Sequence, residues 1–102
     1  MISQELITRP QQIAQEVAKL VRCMLGTNVT VIWFGSWPKG TASAHADIDI
    51  AVSGPSTFPP EQLAELRAGI EDLATLHEID LVDLHTVSER FQQEILHHGI
   101  RL

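Results

Sequence analysis

Apolar positions recur along the chain with two different periods, and these periods predict its helices and strands. A first stripe has the spacing of a helix and begins shortly after Pro10, a residue that suits a first helical turn. Its members are Ile13, Val17, Leu20, Val21 and Met24. Gly26 follows where a glycine ends a helix. A second stripe of the same spacing predicts another core-facing helix; its members are Leu63, Leu66, Ile70 and Leu73.

Three short segments have the composition or the period of β-strands. Residues 29–34 are β-branched and aromatic and too short for a buried helix, which predicts a strand buried on both faces. Residues 47–52 and 79–84 alternate with a period of two. A final helix is predicted to begin near Ser88, where the sequence has the form of a capping box. The order αβ(α)βαβα predicts an α/β (α+β) fold, with a small mixed sheet of about three strands flanked by about four helices.

The turn after the first strand and the start of the second strand carry the candidate chemistry. Gly35 allows a sharp turn with free N–H groups, and the hydroxyl of Ser36 adds a donor, so phosphate oxygens suit this turn. Ten residues separate Ser36 from Asp47, and the period of two then places Asp47 and Asp49 on one face of a strand. Two unpaired carboxylates there repel each other unless a cation joins them, and Mg²⁺ is the cation that prefers such oxygen ligands.

The pattern Gly35-Ser36, ten residues, then Asp47-Ile48-Asp49 resembles the signature of the DNA polymerase beta-type nucleotidyltransferase superfamily. The small size resembles its minimal nucleotidyltransferase (MNT) branch. The resemblance extends over nearly the whole chain, and residues 79–84 look like the strand that carries the third carboxylate of the family. It implies the nucleotidyltransferase fold and a nucleoside triphosphate, ATP or another, as substrate.

The third strand contains two aspartates on opposite faces, and only one matches the family pattern. By its position Asp80 is the third metal carboxylate that the resemblance implies, and it meets Asp47 and Asp49 if the two strands are neighbours. Asp83 is then a surface or strand-end residue. The opposite register, with Asp83 in the site, stays open.

The turn itself matches the family at one position and departs from it at another. Lys39 stands where members carry Arg or Lys, and both a phosphate contact and an exposed loop lysine are compatible with it. Trp37 stands where members more often carry Arg. The loss of this positive charge weakens the case for triphosphate binding and leaves Trp37 to pack on a partner or stack on a base.

Length, charge and cysteine content narrow the functional classes. A chain of 102 residues, 44% of them hydrophobic, suits one nucleotidyltransferase domain over residues 1–102, without a separate acceptor-binding domain. A net charge of −6 argues against direct nucleic-acid binding. No segment has transmembrane length, so no membrane contact is expected. The single Cys23 is expected to be a small buried hydrophobe, and the cytoplasm is the expected compartment.

The mechanism expected from the carboxylates is two-metal phosphoryl transfer. Asp47 and Asp49 bridge two Mg²⁺ ions, and Asp80 completes the ion that activates the acceptor hydroxyl. Gly35 and Ser36 hold the β- and γ-phosphates, with Lys39 as a further candidate, so that a nucleoside monophosphate is transferred.

The chain resembles MNT proteins, which form one half of a toxin–antitoxin pair and transfer AMP to a tyrosine of a HEPN-domain partner. The acceptor that the resemblance implies is therefore a HEPN-domain partner. The chain contains no tyrosine, which excludes self-modification at that residue type. Two alternatives stay open: a degenerate binding module that neutralises a partner by contact, and a small-molecule, antibiotic-type nucleotidyltransferase. A homo-oligomer is compatible with each of these functions.

Overall fold

The computed structural model describes residues 2–73 and 75–102, with side chains from Arg9 onward. The elements follow in the order α1 (Ile2–Leu25), β1 (Thr30–Phe34), α2 (Ser36–Lys39), β2 (Ile48–Ser53), α3 (Pro60–Glu71), β3 (Ile79–Asp83), α4 (Glu89–His98) and β4 (Ile100–Arg101). A short 3-10 helix, Leu84–Thr86, joins β3 to α4. In the described ranges no helix has both the length and the apolar character that crossing a bilayer requires.

The strands form one mixed sheet in the order β3-β2-β1-β4. β1 pairs with β2 antiparallel, as the short connection through α2 predicts, and β2 pairs with β3 parallel. The predicted fold class is therefore confirmed, with one strand more than expected. β4 was missed because two residues after a helix are too short to give a periodic signal, yet they pair antiparallel with the middle of β1.

Helices pack on both faces of the sheet and bury apolar side chains there. On one face α1 and α3 pack on inward side chains of β1, β2 and β3, among them Val31, Ile50 and Leu81. On the other face Ile95 of α4 packs with Ile32 and other residues of β1, β2 and the 3-10 helix. The two-sided burial of β1 agrees with the continuous apolar run from which it was predicted.

The helix boundaries agree with the predicted stripes except at the start of the chain and at Leu73, which lies beyond the end of α3 at Glu71. α1 begins at Ile2, so Pro10 lies inside this helix instead of in its first turn. Cys23 is exposed, and the expectation that it is buried was wrong, because two positions after Val21 the helix surface has turned away from the core. Ser88 caps α4 by accepting a hydrogen bond from the N–H of Phe91 at 3.2 Å.

Asp83 ends β3 and is only 2% exposed, so the prediction of a surface residue was wrong while that of a strand end was right. Its carboxylate accepts hydrogen bonds from the backbone N–H of Phe58 at 2.9 Å and of His85 at 3.0 Å. These bonds connect the loop before α3 to the start of the 3-10 helix. A buried carboxylate with two backbone donors is stabilised as a structural residue.

We expect Asp83→Ala to lower the free energy of unfolding by about 2–3 kcal/mol, because two backbone N–H groups lose a charged acceptor. Urea unfolding measures the change. The exposed Asp72, at the end of α3, is the matched control, and Asp72→Ala should cost less than about 0.5 kcal/mol. Equal unfolding midpoints for the two variants would contradict this role of Asp83.

Candidate active site

The sheet places the three predicted carboxylates at one end. Asp49 in β2 is directly opposite Asp80 in β3 in the parallel register, and it is opposite Phe34, the last residue of β1, on its other side. Neighbouring strands are about 4.8 Å apart, so Asp49 and Asp80 are close neighbours on the same face. Asp47 immediately precedes β2, two positions before Asp49. Asp47 and Asp80 are exposed, whereas Asp49 is half-buried.

Partial burial and the neighbouring carboxylates together raise the pKa of Asp49 to about 6 from an ordinary value of 3.8. Partial burial is the largest cause, followed by the charge of Asp80 and then by that of Asp47. Each of these effects disfavours the ionised form. A cation placed among the three side chains would remove the repulsion and restore the charge of Asp49.

The backbone at Gly35 lies directly against Asp49. Gly35 has φ +87° and ψ −153°, a conformation that L side chains rarely adopt, and a Cβ at this position would overlap Oδ2 of Asp49. The turn after β1 and the start of β2 can therefore approach this closely only with glycine. The close approach places the predicted phosphate-binding turn beside the carboxylates.

Lys39, the last residue of α2, makes an ion pair that the sequence does not suggest. Its Nζ is 2.6 Å from Oε1 of Glu94 in α4, and both side chains are substantially exposed. The hydrogen bond and charge of Lys39 lower the pKa of Glu94. In this structure Lys39 is therefore paired with a residue of the last helix, and its contact with phosphate stays a prediction.

A pocket of about 280 Å³ opens between the Gly35 turn and α4. Asp49 and Lys39 contribute its polar wall, and the rings of Phe34 and Phe91 meet edge-to-face with centroids 5.7 Å apart. The complete lining consists of Phe34, Gly35, Lys39, Asp49, Phe91, Glu94, Ile95 and His98. Sequence reasoning missed the half that α4 supplies, because the amphipathic pattern of a helix does not tell which site its ends border.

The donor set suits Mg²⁺ bound together with a nucleotide. Within residues 2–73 and 75–102, no three His, Cys, Asp or Glu side chains converge tightly enough to enclose a metal by themselves. Mg²⁺ is commonly held by one or two carboxylates, water and substrate phosphates instead of an all-protein cage. Asp49 with its two acidic neighbours, beside the Gly35 turn, meets that requirement.

Trp37 contacts other parts of the same chain, whereas the sequence suggested that it packs on a partner or stacks on a base. Its ring is half-buried and packs against the hydrophobic core on the α1 and α3 side of the sheet. Its Nε1 donates a hydrogen bond to the backbone carbonyl of Ala46 at 3.2 Å. In this structure, therefore, Trp37 fastens the loop that leads to Asp47.

We expect Gly35→Ala to displace the Asp49 carboxylate and to destabilise the protein by about 2 kcal/mol or more, from backbone strain and steric overlap together. Gly40→Ala is the control, because Gly40 has φ +77° but nothing within 4 Å of an added Cβ. Thermal unfolding of the two variants separates strain from overlap. Equal losses of stability would show that contact with Asp49 contributes nothing.

We also expect Asp49→Asn to stabilise the metal-free protein at pH 8. The native state binds the proton of Asp49 more tightly than the unfolded chain, so ionisation costs stability above pH 6, and this cost vanishes below pH 3.8. A shift of about two units corresponds to about 3 kcal/mol, which solvent screening of a half-exposed group reduces to about 1 kcal/mol.

Denaturant unfolding with EDTA at pH 8 and pH 4 measures this gain, which should shrink at the lower pH. Asp72→Asn controls for the general benefit of removing one negative charge from a chain of net charge −6. An equal gain for both variants, or a gain independent of pH, would contradict the coupling.

Solved structures of toxin–antitoxin complexes have the same fold. A chain of a toxin–antitoxin crystal structure with AMP-PNP is 29% identical, with a TM-score of 0.71 over 86% of this chain and 70% of that one. The MNT antitoxin structure with a tri-AMPylated HEPN toxin from Shewanella oneidensis is 27% identical, with a TM-score of 0.68 over 90% and 70%. A double mutant of an MntA toxin–antitoxin complex is 25% identical, with a TM-score of 0.69 over 86% and 70%.

No curated protein sequence matches the chain. The family model described as Polymerase beta, Nucleotidyltransferase matches residues 12–102, a range that includes Gly35, Ser36 and all three carboxylates. The resemblance predicted from the Gly-Ser turn and the aspartate pair is thereby confirmed, as is the likeness to MNT antitoxins. The chain belongs to the polymerase beta nucleotidyltransferase family.

Proposed function

We propose that this protein is a Mg²⁺-dependent nucleotidyltransferase that transfers AMP from ATP to a hydroxyl group of a HEPN-type partner protein, as the antitoxin of a toxin–antitoxin pair. Family membership supports the transferase class. The neighbours that contain AMP-PNP and a tri-AMPylated HEPN toxin support the nucleotide and the partner.

The observation that carries the proposal is the parallel register of Asp49 and Asp80 beside the Gly35 turn. A partly buried carboxylate whose pKa is raised further by two acidic neighbours is typical of a functional site, and a cation among the three would relieve their repulsion. Asp83, on the same strand as Asp80, is buried and accepts hydrogen bonds from two backbone N–H groups. We therefore assign it a structural role.

In the proposed reaction, Asp47, Asp49 and Asp80 would hold two Mg²⁺ ions, which supply charge neutralisation for the triphosphate and for the attacking oxygen. Gly35 and Ser36 bind the β- and γ-phosphates and so present the α-phosphorus to the acceptor. The acceptor oxygen bonds to the α-phosphorus while the bond to the bridging oxygen breaks and pyrophosphate leaves. Asp80, exposed near the start of β3, takes the hydroxyl proton. Positioning supplies most of the rate enhancement.

The acceptor belongs to another molecule in this proposal. The chain has no tyrosine, and its net charge of −6 does not favour a nucleic-acid acceptor. The pocket between the Gly35 turn and α4 borders Asp49, so a side chain of a partner can approach the carboxylates there. We place the reaction in the cytoplasm, where ATP is available.

We expect Asp47→Asn and Asp49→Asn each to lower Mg²⁺-dependent transfer of label from α-labelled ATP to a HEPN partner by roughly 100-fold or more, because each removes a charged metal ligand. The mass of the partner should rise by one or more AMP groups with the unmodified chain. Asp72→Asn, at the end of α3 and therefore on the face of the sheet opposite to Asp49 and Asp80, is the matched control and should leave transfer unchanged.

A second candidate function is neutralisation of a partner by contact alone. The pairing of Lys39 with Glu94, and the tryptophan at a position where the family more often has arginine, favour it. Simultaneous replacement of the three carboxylates by alanine decides between the two: a variant that still neutralises the toxin without modifying it supports contact. Transfer to an aminoglycoside without a partner would instead support the small-molecule transferase.

A further inference from the structure

One backbone oxygen next to the carboxylates accepts two side-chain hydrogen bonds. The carbonyl of Ala46 lies 3.2 Å from Nε1 of Trp37 and 2.9 Å from Nδ1 of His77. A carbonyl oxygen only accepts, so His77 carries its proton on Nδ1. The two donors use both lone pairs of this oxygen, and they come from the turn after β1 and from the segment before β3.

The two rings form a rigid unit with the core. Trp37 and His77 meet edge-to-face, with centroids 5.9 Å apart and planes at 76°. Trp37 is also packed on the hydrophobic core, so its N–H is held in a fixed direction. Both ring nitrogens therefore hold the Ala46 carbonyl against a part of the protein that has little freedom to move.

Asp47 is the carboxylate that most needs such support. It is exposed and precedes the first residue of β2, whereas Asp49 lies within the strand ladder. On the far side of Asp47, the N–H of Ile48 donates to the carbonyl of Glu78 at 2.8 Å. The backbone of Asp47 is thus fixed on both sides, by the bonds to Ala46 and by the bond from Ile48.

We propose that Trp37 and His77 are positioning residues for Asp47, which hold its carboxylate where it can ligate Mg²⁺ together with the nucleotide. The inference rests on the proposed function, since it gives Asp47 a metal to bind. Neither ring touches the reacting atoms. Their effect is on the affinity for the metal, because a ligand that must first be ordered binds more weakly than one held in place.

Trp37→Phe tests the inference, because phenylalanine keeps the ring packing and removes the donor. In the complex with the HEPN partner, the Mg²⁺ concentration for half-maximal transfer should rise roughly 5- to 10-fold, the effect of one lost hydrogen bond. Transfer at saturating Mg²⁺ should stay within about twofold of the wild type. Mn²⁺ binding with AMP-PNP, followed by electron paramagnetic resonance, should weaken by the same factor without any turnover.

His77 gives an independent pair of variants. His77→Ala should raise the half-saturating Mg²⁺ concentration as Trp37→Phe does, whereas His77→Asn, whose amide nitrogen replaces Nδ1, should restore it. His85→Ala is the matched control, because His85 also bonds a backbone carbonyl, that of Gly54 at 2.8 Å, at the opposite end of β3. It should leave the metal dependence unchanged. Nitrogen-15 NMR should show the Nδ1–H tautomer of His77.

The outcomes separate this inference from the function on which it rests. Wild-type transfer with an unchanged Mg²⁺ requirement in Trp37→Phe and His77→Ala would overturn the positioning role alone, as would a lower maximal rate that Mg²⁺ does not restore. Weakened Mn²⁺ binding in these variants, with no transfer by the wild type, would support positioning and overturn the enzymatic function. Absence of Mn²⁺ binding to the wild type would overturn both.

Discussion

Asp49 faces Asp80 across two parallel strands, and partial burial together with repulsion between these carboxylates disfavours the ionised form of Asp49. The repulsion is strong because partial burial removes some of the water that would screen it, and because Gly35 packs against the same carboxylate. The nearest lysine of the turn does not relieve it, since Lys39 is paired with Glu94. Stability is thus given up at one place in the fold, which is typical of functional sites.

The two aspartates of β3 illustrate how the surroundings of a carboxylate decide its role. Asp80, at the start of the strand, is exposed beside Asp49, whereas Asp83, three residues later, faces the opposite side and is buried. Asp83 accepts N–H bonds from Phe58 and His85, and these donors compensate for its lost hydration. Asp80 meets another carboxylate instead. Residue type and strand are the same, and the available donors make the difference.

The site joins segments from the whole length of the chain. The Gly35 turn supplies one wall of the pocket, and α4 supplies the other through Phe91, Glu94, Ile95 and His98. The loop before Asp47 is fastened by Trp37, a residue at a position where a resemblance to the family predicts a basic side chain. A departure from the family pattern thus gains a physical role, because the indole N–H donates to the carbonyl of Ala46, the residue before Asp47.

The residues alone were enough for everything that depends on contacts within a few positions. The strand periods, most of the helical stripes and the turn at Gly35 agree with the structure, since the geometry of a helix or strand follows from local spacing. The roles of Asp47 and Asp49 stay predictions. Other features could be found only from the folded chain. These are the neighbour of Asp49 in the sheet, the burial of Asp83, the ion pair of Lys39 and the pairing of Ile100–Arg101 with β1. Strand register and helix packing depend on which distant surfaces bury each other, and no short-range pattern specifies that choice.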